Sequence, residues 1–250
     1  MITRRLQILG LALAALPAPA SALAAETQVA VAANFTAPAK EIAAAFKAAT
    51  GDTAVLSFGS SGQFYAQIAH GAPYAVFLSA DAERPLAAER AGLGVAGARF
   101  TYAVGRLALY SRTPGLVDSA GAVLRSGRFR KLAIADPATA PYGVAAVQTL
   151  KTLGVYPAVR GKIVTGSSIA QAFQFVDTGA ADLGLVAYSQ VIEMVGGSRW
   201  LVPDPDHAPI EQQAVLLQPG RNDPAARAFL RFLKGPRATA IIRKYGYEAP

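Results

Sequence analysis

Thr53-Ala54-Val55-Leu56-Ser57-Phe58-Gly59-Ser60-Ser61-Gly62-Gln63-Phe64-Tyr65-Ala66-Gln67-Ile68 reads as a strand running straight into a helix through a Gly-Ser-Ser-Gly turn. Thr53–Phe58 is apolar and β-prone. Phe64 and Ile68 fall on one face of a short helix predicted over Gln63–His70. A turn of this kind aims unpaired backbone N–H groups and two hydroxyls at one point, which makes an anion site with no charged side chain. A second hydroxyl-rich turn, Thr165-Gly166-Ser167-Ser168, precedes a helix predicted over Ile169–Thr178. Taken singly, either turn reads equally well as an ordinary helix cap. Two of them at matching junctions, one in each half of the chain, point to one small anion held between two lobes.

Outward from these turns the chain alternates strand-like and helix-like segments. Gln28–Ala33 is an apolar run read as the first strand, and Asn34-Phe35-Thr36 as a turn. Thr36 is placed as an N-cap, with Pro38 in the first turn and Ile42, Ala45, Phe46 and Ala49 at helical spacing up to Gly51. Further strands are read at Ala75–Ser79, Arg106–Ser111, Lys131–Ala135, Lys162–Thr165, Leu183–Ala187 and Gln212–Gln218. Helices are read at Ala82–Ala91 behind Asp81, at Gly143–Leu153, and at Pro224–Lys234 and Pro236–Tyr245. This alternation predicts an α/β fold of two lobes, each a mostly parallel sheet flanked by helices. Ligands in such sheets bind at the carboxyl ends of strands, where both serine turns, Asn34 and Tyr142 would converge.

The ends and the composition narrow the class. Arg4 and Arg5 precede an apolar run, Leu6–Leu16, and Ala22-Leu23-Ala24 is a small-x-small site. Residues 1–24 read as a secretory signal peptide cut after Ala24, with Ala25 or Ala22 as rivals; the apolar run is too short to span a bilayer. The composition, 52% hydrophobic and 16% charged, excludes a disordered chain. There are no cysteines, so neither disulfides nor thiolate metal sites are available. The formal net charge is +8, two units of which leave with Arg4 and Arg5. The basic residues are scattered. Their one cluster, Arg125, Arg128, Arg130 and Lys131, has little aromatic interleaving, which argues against nucleic acid and for a solvated patch.

Catalytic signals are weak. His70 and His207 have no metal-ligand spacing, and neither HExxH nor GxSxG occurs. Asp204, Asp206 and His207 sit among prolines in a connector, where a solvated loop is expected. A small dianion, by contrast, can be held by neutral donors at helix starts, each carrying about half a positive charge. A fully deprotonated tetrahedral oxyanion wants donors only. Hydrogen phosphate also needs an acceptor, and Asp136 is the one nearby candidate.

Val31-Ala32-Ala33-Asn34-Phe35, Gly59-Ser60-Ser61-Gly62, Gly71-Ala72-Pro73-Tyr74-Ala75-Val76-Phe77-Leu78-Ser79-Ala80-Asp81 and Tyr142-Gly143 resemble the periplasmic molybdate-binding proteins of ABC transporters. Lys234-Gly235-Pro236 and Tyr245-Gly246-Tyr247 are similar too, so the resemblance covers nearly the whole chain after the leader. It implies a two-lobed class II solute-binding fold with a five-stranded sheet in each lobe. The oxyanion then lies in the interlobe cleft, held by hydroxyls and backbone amides and by no cation. Carried over by motif, the oxyanion-binding residues are Ala33, Asn34, Ser61, Tyr142 and, through its backbone N–H, Ile169. Ala33 stands where the family often has Ser or Thr and offers only an amide. Some members place a Tyr just after the sixth-strand segment; here that position is Ala187, with Tyr188 next, and Tyr142 is expected to supply the hydroxyl from another loop.

The resemblance further implies a monomer with no catalytic residues, no cofactor and no direct metal–protein bonds. Its ligand would be molybdate or tungstate, its partner a membrane permease, and its location the periplasm. The chain is expected to cross between lobes near Gly105 and return near Glu211, so that residues 25–104 with 211–250 form one lobe and 105–210 the other. The rival readings are a receptor for sulfate or another small oxyanion, and a secreted hydrolase with an unrecognised site.

Overall fold

Apolar runs in this sequence become strands covered on both faces, as parallel sheets require. The computed structural model describes residues 24–248, so the leader read over 1–24 lies outside it except for Ala24. Ten strands are described: β1 Glu26–Ala32, β2 Thr53–Gly59, β3 Val76–Leu78, β4 Phe100–Gly105, β5 Leu107–Ser111, β6 Leu132–Ala135, β7 Ile163–Gly166, β8 Leu183–Ala187, β9 Ser198–Leu201 and β10 Ile210–Leu216. They form two five-stranded sheets, in the orders β2-β1-β3-β10-β4 and β7-β6-β8-β5-β9.

The two sheets share one plan. In each, three strands are parallel neighbours, the fourth is reversed, and the fifth returns to the common direction. The reversed strands, β10 and β5, are the ones that enter from the other sheet. β4 at the edge of the first sheet leads through Gly105-Arg106 into β5, and β9 at the edge of the second leads through Val202–Pro209 into β10. Sequence periodicity registers both reversed strands but neither β4 nor β9, so the edge strand beyond the reversed one is what the expected pattern lacks in each sheet.

Register aims the loops. Ala32 lies opposite Gly59, so β1 and β2 end together and deliver the Ala33-Asn34 and Ser60-Ser61 turns to one edge. Ala135 lies opposite Gly166 and brings the Asp136–Tyr142 loop beside the Ser167-Ser168 turn in the same way. Helix Thr36–Thr50 ends at Gly51, whose φ of 83° suits a left-handed cap. Phe46 of this helix stacks edge-on against Phe229 and Phe232 of helix Pro224–Leu233, at 5.4 and 5.7 Å between ring centres. Helix Pro224–Leu233 thus covers the first sheet, and helix Pro236–Lys244 packs against that helix and against helix Thr36–Thr50. No described helix is long and apolar enough to cross a membrane.

Three local expectations change. Thr36 is not an N-cap: a 3-10 turn over Ala33–Phe35 runs straight into the helix, and the Thr36 hydroxyl donates back to the Ala33 carbonyl at 2.8 Å. The helix after the Gly-Ser-Ser-Gly turn starts at Ser61 rather than Gln63, because Ser60 takes the cap. The helix expected from Gly143 starts at Pro141, where the fixed φ of proline suits the first turn.

Candidate functional site

Ala33, Asn34, Ser61, Tyr142 and Ile169 line one small cavity between the two sheets, with Ala32, Gly59, Ser60, Ala80, Ala140 and Pro141 completing its wall. No Lys, Arg, Asp or Glu is among these lining residues. Asp136 does not reach it; its carboxylate accepts from the Ala138 amide at 2.9 Å.

Each wall is a helix start. Ser60 caps helix Ser61–Ala69: its hydroxyl accepts from the Gln63 amide, and the Gln63 side chain accepts from the Ser60 amide. Ser168 caps helix Ile169–Asp177 by accepting from Gln171 N–H. The caps satisfy amides one turn in, while the first N–H groups, those of Ser61 and Ile169, have no partner within their helices. Ala33 and Asn34 likewise open the 3-10 turn. Tyr142 sits in the first turn of helix Pro141–Thr152, and Gly143 lets that turn approach β6. A Cβ at Gly143 would lie 2.3 Å from the Ala135 carbonyl oxygen.

The two hydroxyls are oriented by what they accept. Ser61, 1% exposed, accepts from the Ala80 amide at 2.9 Å. Tyr142, also 1% exposed, accepts from Gln212 Nε2 at 3.3 Å. That leaves the Ser61 proton without a partner, while the Tyr142 hydroxyl lies beside that of Tyr247 and can turn its proton to either Tyr247 or a guest. Burial raises the Tyr142 phenol well above its usual range, aided by the neighbouring tyrosines Tyr247 and Tyr102, so it stays a donor at any ordinary pH.

Asn34 takes a different part. Its side-chain amide donates to Gln212 Oε1 at 2.9 Å and to Tyr247 Oη at 3.0 Å. Both amide protons are spent, so towards the cavity it has its backbone N–H. Gln212 Oε1 also accepts from Tyr102 at 3.0 Å. Tyr247 donates to the Asn34 carbonyl at 2.7 Å, and Ser189 donates to the same oxygen at 2.9 Å. This buried network ties the crossing segments together, and Val104 and Glu248 add two backbone bonds at 2.7 and 3.1 Å. The sequence reading missed Gln212, Tyr102, Ser189 and the role of Tyr247. The available signal was Gln212-Gln213 in a strand that is apolar at Ile210 and again over 214–216. Tyr188 does not line the cavity; its ring packs near Arg106 and Gly246.

The loops around the cavity touch across the cleft. The Gly62 amide donates to the Thr139 carbonyl at 2.8 Å, joining the start of helix Ser61–Ala69 to the loop after β6. The structure is therefore that of a shut cleft. Two similar sheets with crossing strands and a neutral cavity of helix starts between them match a known family: the description of bacterial extracellular solute-binding proteins fits residues 27–248. The chain belongs to that family. Among its relatives this solute-binding protein is 55% identical over 230 residues to the molybdate-binding protein ModA of Azotobacter vinelandii, covering 91% of each chain. It is 56% identical over 233 residues to ModA of Rhodobacter capsulatus, covering 93% of this chain and 90% of the relative. The solved structure of the Azotobacter vinelandii periplasmic molybdate-binding protein superposes with a TM-score of 0.87 and 42% identity, covering 90% of this chain and 99% of that one.

Proposed function

We propose that this protein captures molybdate, and tungstate of nearly the same size, in the periplasm and delivers it to the permease of an ABC transporter. It acts as a carrier without cofactor or chemistry. The observation that carries this reading is the polarity of the cavity: two buried hydroxyls, each already accepting one bond from the wall, facing unpaired amides at three chain turns, with no charged side chain among them. Ser61 and Tyr142 donate through O–H, and Ala33, Asn34 and Ile169 through N–H. Ala33 contributes no hydroxyl, so the donor set leans on Tyr142.

The same reading assigns residues 25–104 with 211–250 to one lobe and 105–210 to the other, moving about the joint at Gly105, the 202–209 connector and Tyr247. The protein works as a monomer, and its leader is cut after Ala24.

Donors fixed on helix starts select by size. A smaller tetrahedral anion cannot reach all of them at good length. Each missed contact strands a buried donor at about 1–3 kcal/mol, so two misses give a preference of several hundredfold. Calorimetric titration with molybdate, tungstate, sulfate and phosphate at one ionic strength tests the reading. Molybdate and tungstate are expected to bind about equally, and sulfate several hundredfold more weakly. Sulfate displacing molybdate at equal concentration would replace this reading with a general oxyanion receptor, and turnover of an ester substrate would replace it with a hydrolase.

A further inference from the structure

Gly62 is the second residue of helix Ser61–Ala69, a position where Ala is the better helix former. Its φ is not in the left-handed region, so the backbone does not demand glycine. The close approach of the other sheet's loop does. A Cβ at Gly62 would lie 2.9 Å from both the Cα and the carbonyl oxygen of Thr139, and 3.2 Å from a guanidinium nitrogen of Arg84. The loop presenting that carbonyl is stiff: Asp136 accepts from the amides of Ala138, Thr139 and Ala140 through its side chain and carbonyl, at 2.9, 3.1 and 2.8 Å.

Arg84 adds a second bond beside the first. Asp81 holds it, accepting from the Arg84 amide at 3.0 Å and from the guanidinium, and Ser79 in turn donates to Asp81 at 3.0 Å. So oriented, Arg84 donates to the Ala138 carbonyl at 3.4 Å. Two successive carbonyls of one lobe thus meet two donors of the other, and none of these four residues lines the anion cavity.

We propose that Gly62 and Arg84, bonded to Thr139 and Ala138, form a latch outside the cavity that exists only with the cleft shut and sets how long the anion stays bound. This rests on the oxyanion reading above. A contact present in one state and absent in the other shifts the population toward that state. Release must break the latch first, whereas capture by the open form does not meet it, so the effect falls on the dissociation rate.

The test follows release of radiolabelled molybdate into excess unlabelled anion, together with amide hydrogen exchange at Gly62. Gly62→Ala is expected to melt, unloaded, no lower than wild type. It should release molybdate about tenfold faster, the equivalent of one hydrogen bond, with association changed less than about threefold. Arg84→Gln should give a smaller acceleration in the same direction. In the wild-type protein, exchange at the Gly62 amide should slow at least about tenfold on loading. Wild-type release from Gly62→Ala, or a Gly62 amide equally protected without anion, overturns the latch while leaving the anion reading intact. A wild-type protein that takes up no molybdate overturns the anion reading and the latch with it. Should Gly62→Ala fail to fold, the wild-type exchange result decides.

Discussion

Ser61→Ala removes one oxygen that serves two partners, and the two losses appear in different experiments. The Ser61 hydroxyl accepts from the Ala80 amide at 2.9 Å, and Ala80 is only 2% exposed. Stranding that N–H costs about 1–3 kcal/mol of folding stability whether or not ligand is present. The hydroxyl proton, aimed into the cavity, matters only when an anion is there, and a hydrogen bond to a charged group contributes about 1.5–3 kcal/mol. The first loss cancels between free and bound protein. Affinity for molybdate should therefore fall by the second alone, roughly 10- to 150-fold. Ser60→Ala is the matched comparison. Its hydroxyl caps the Gln63 amide, so about 1 kcal/mol of stability goes. The Ser61–Ala80 bond is untouched, and binding should move less than about threefold. Calorimetric titration gives the affinities, and thermal unfolding of the unloaded proteins gives the stabilities. Ser61→Ala binding molybdate within about twofold of wild type, or Ser60→Ala losing as much as Ser61→Ala, would refute the assignment of the two serines.

Gly105→Ala puts a methyl 2.2 Å from the Tyr142 hydroxyl and 2.5 Å from Gln212 Nε2, so the phenol must move. Molybdate affinity by titration should drop at least about tenfold, matching a lost donor. Tyr247→Phe keeps the edge-on packing against Phe35 at 5.3 Å but strips the hydroxyl that joins Asn34 and Ser189. Urea unfolding should show a loss of about 1–3 kcal/mol. Alkaline pH should destabilise the fold: burial raises Tyr102 and Tyr142 well above the usual 10.0 and Tyr247 to about 12. The unfolded chain releases these protons near pH 10 and the native one does not, so stability is full below about pH 10 and is lost as pH rises through about 12. Melting temperatures flat from about pH 8 to pH 11.5 would contradict this.

Local chemistry made much of the fold legible. Helix Ile169–Asp177 and strand Leu183–Ala187 lie where cap and apolar run place them, because a hydroxyl cap and a doubly buried strand leave unambiguous marks. Of the residues around the cavity, the two serine turns were legible as helix starts on their own, while Ala33 and Ile169 came only with the resemblance. The joint was not. Phe100–Gly105 and Ser198–Leu201 are edge strands with half-buried, mixed residues, so neither period stands out. Gln212, Tyr102 and Tyr247 act only through one another, across separations that local pattern does not carry. The cap at Ser60 rather than Thr36 turned on geometry, since in both places a hydroxyl stands at a helix start.

The order of strands also dictates an order of assembly. The second sheet is built from one uninterrupted stretch, whereas the first waits for β10, which is inserted between β3 and β4 from much later in the chain. The Asn34–Tyr247 bond spans 213 positions. Contacts that close such long loops form slowly. The part synthesised first is thus expected to complete last, since its sheet closes only when β10 is available. Pulse-labelled hydrogen exchange during refolding should find β6 and β8 protected before β1 and β3, and the reverse order would remove this account.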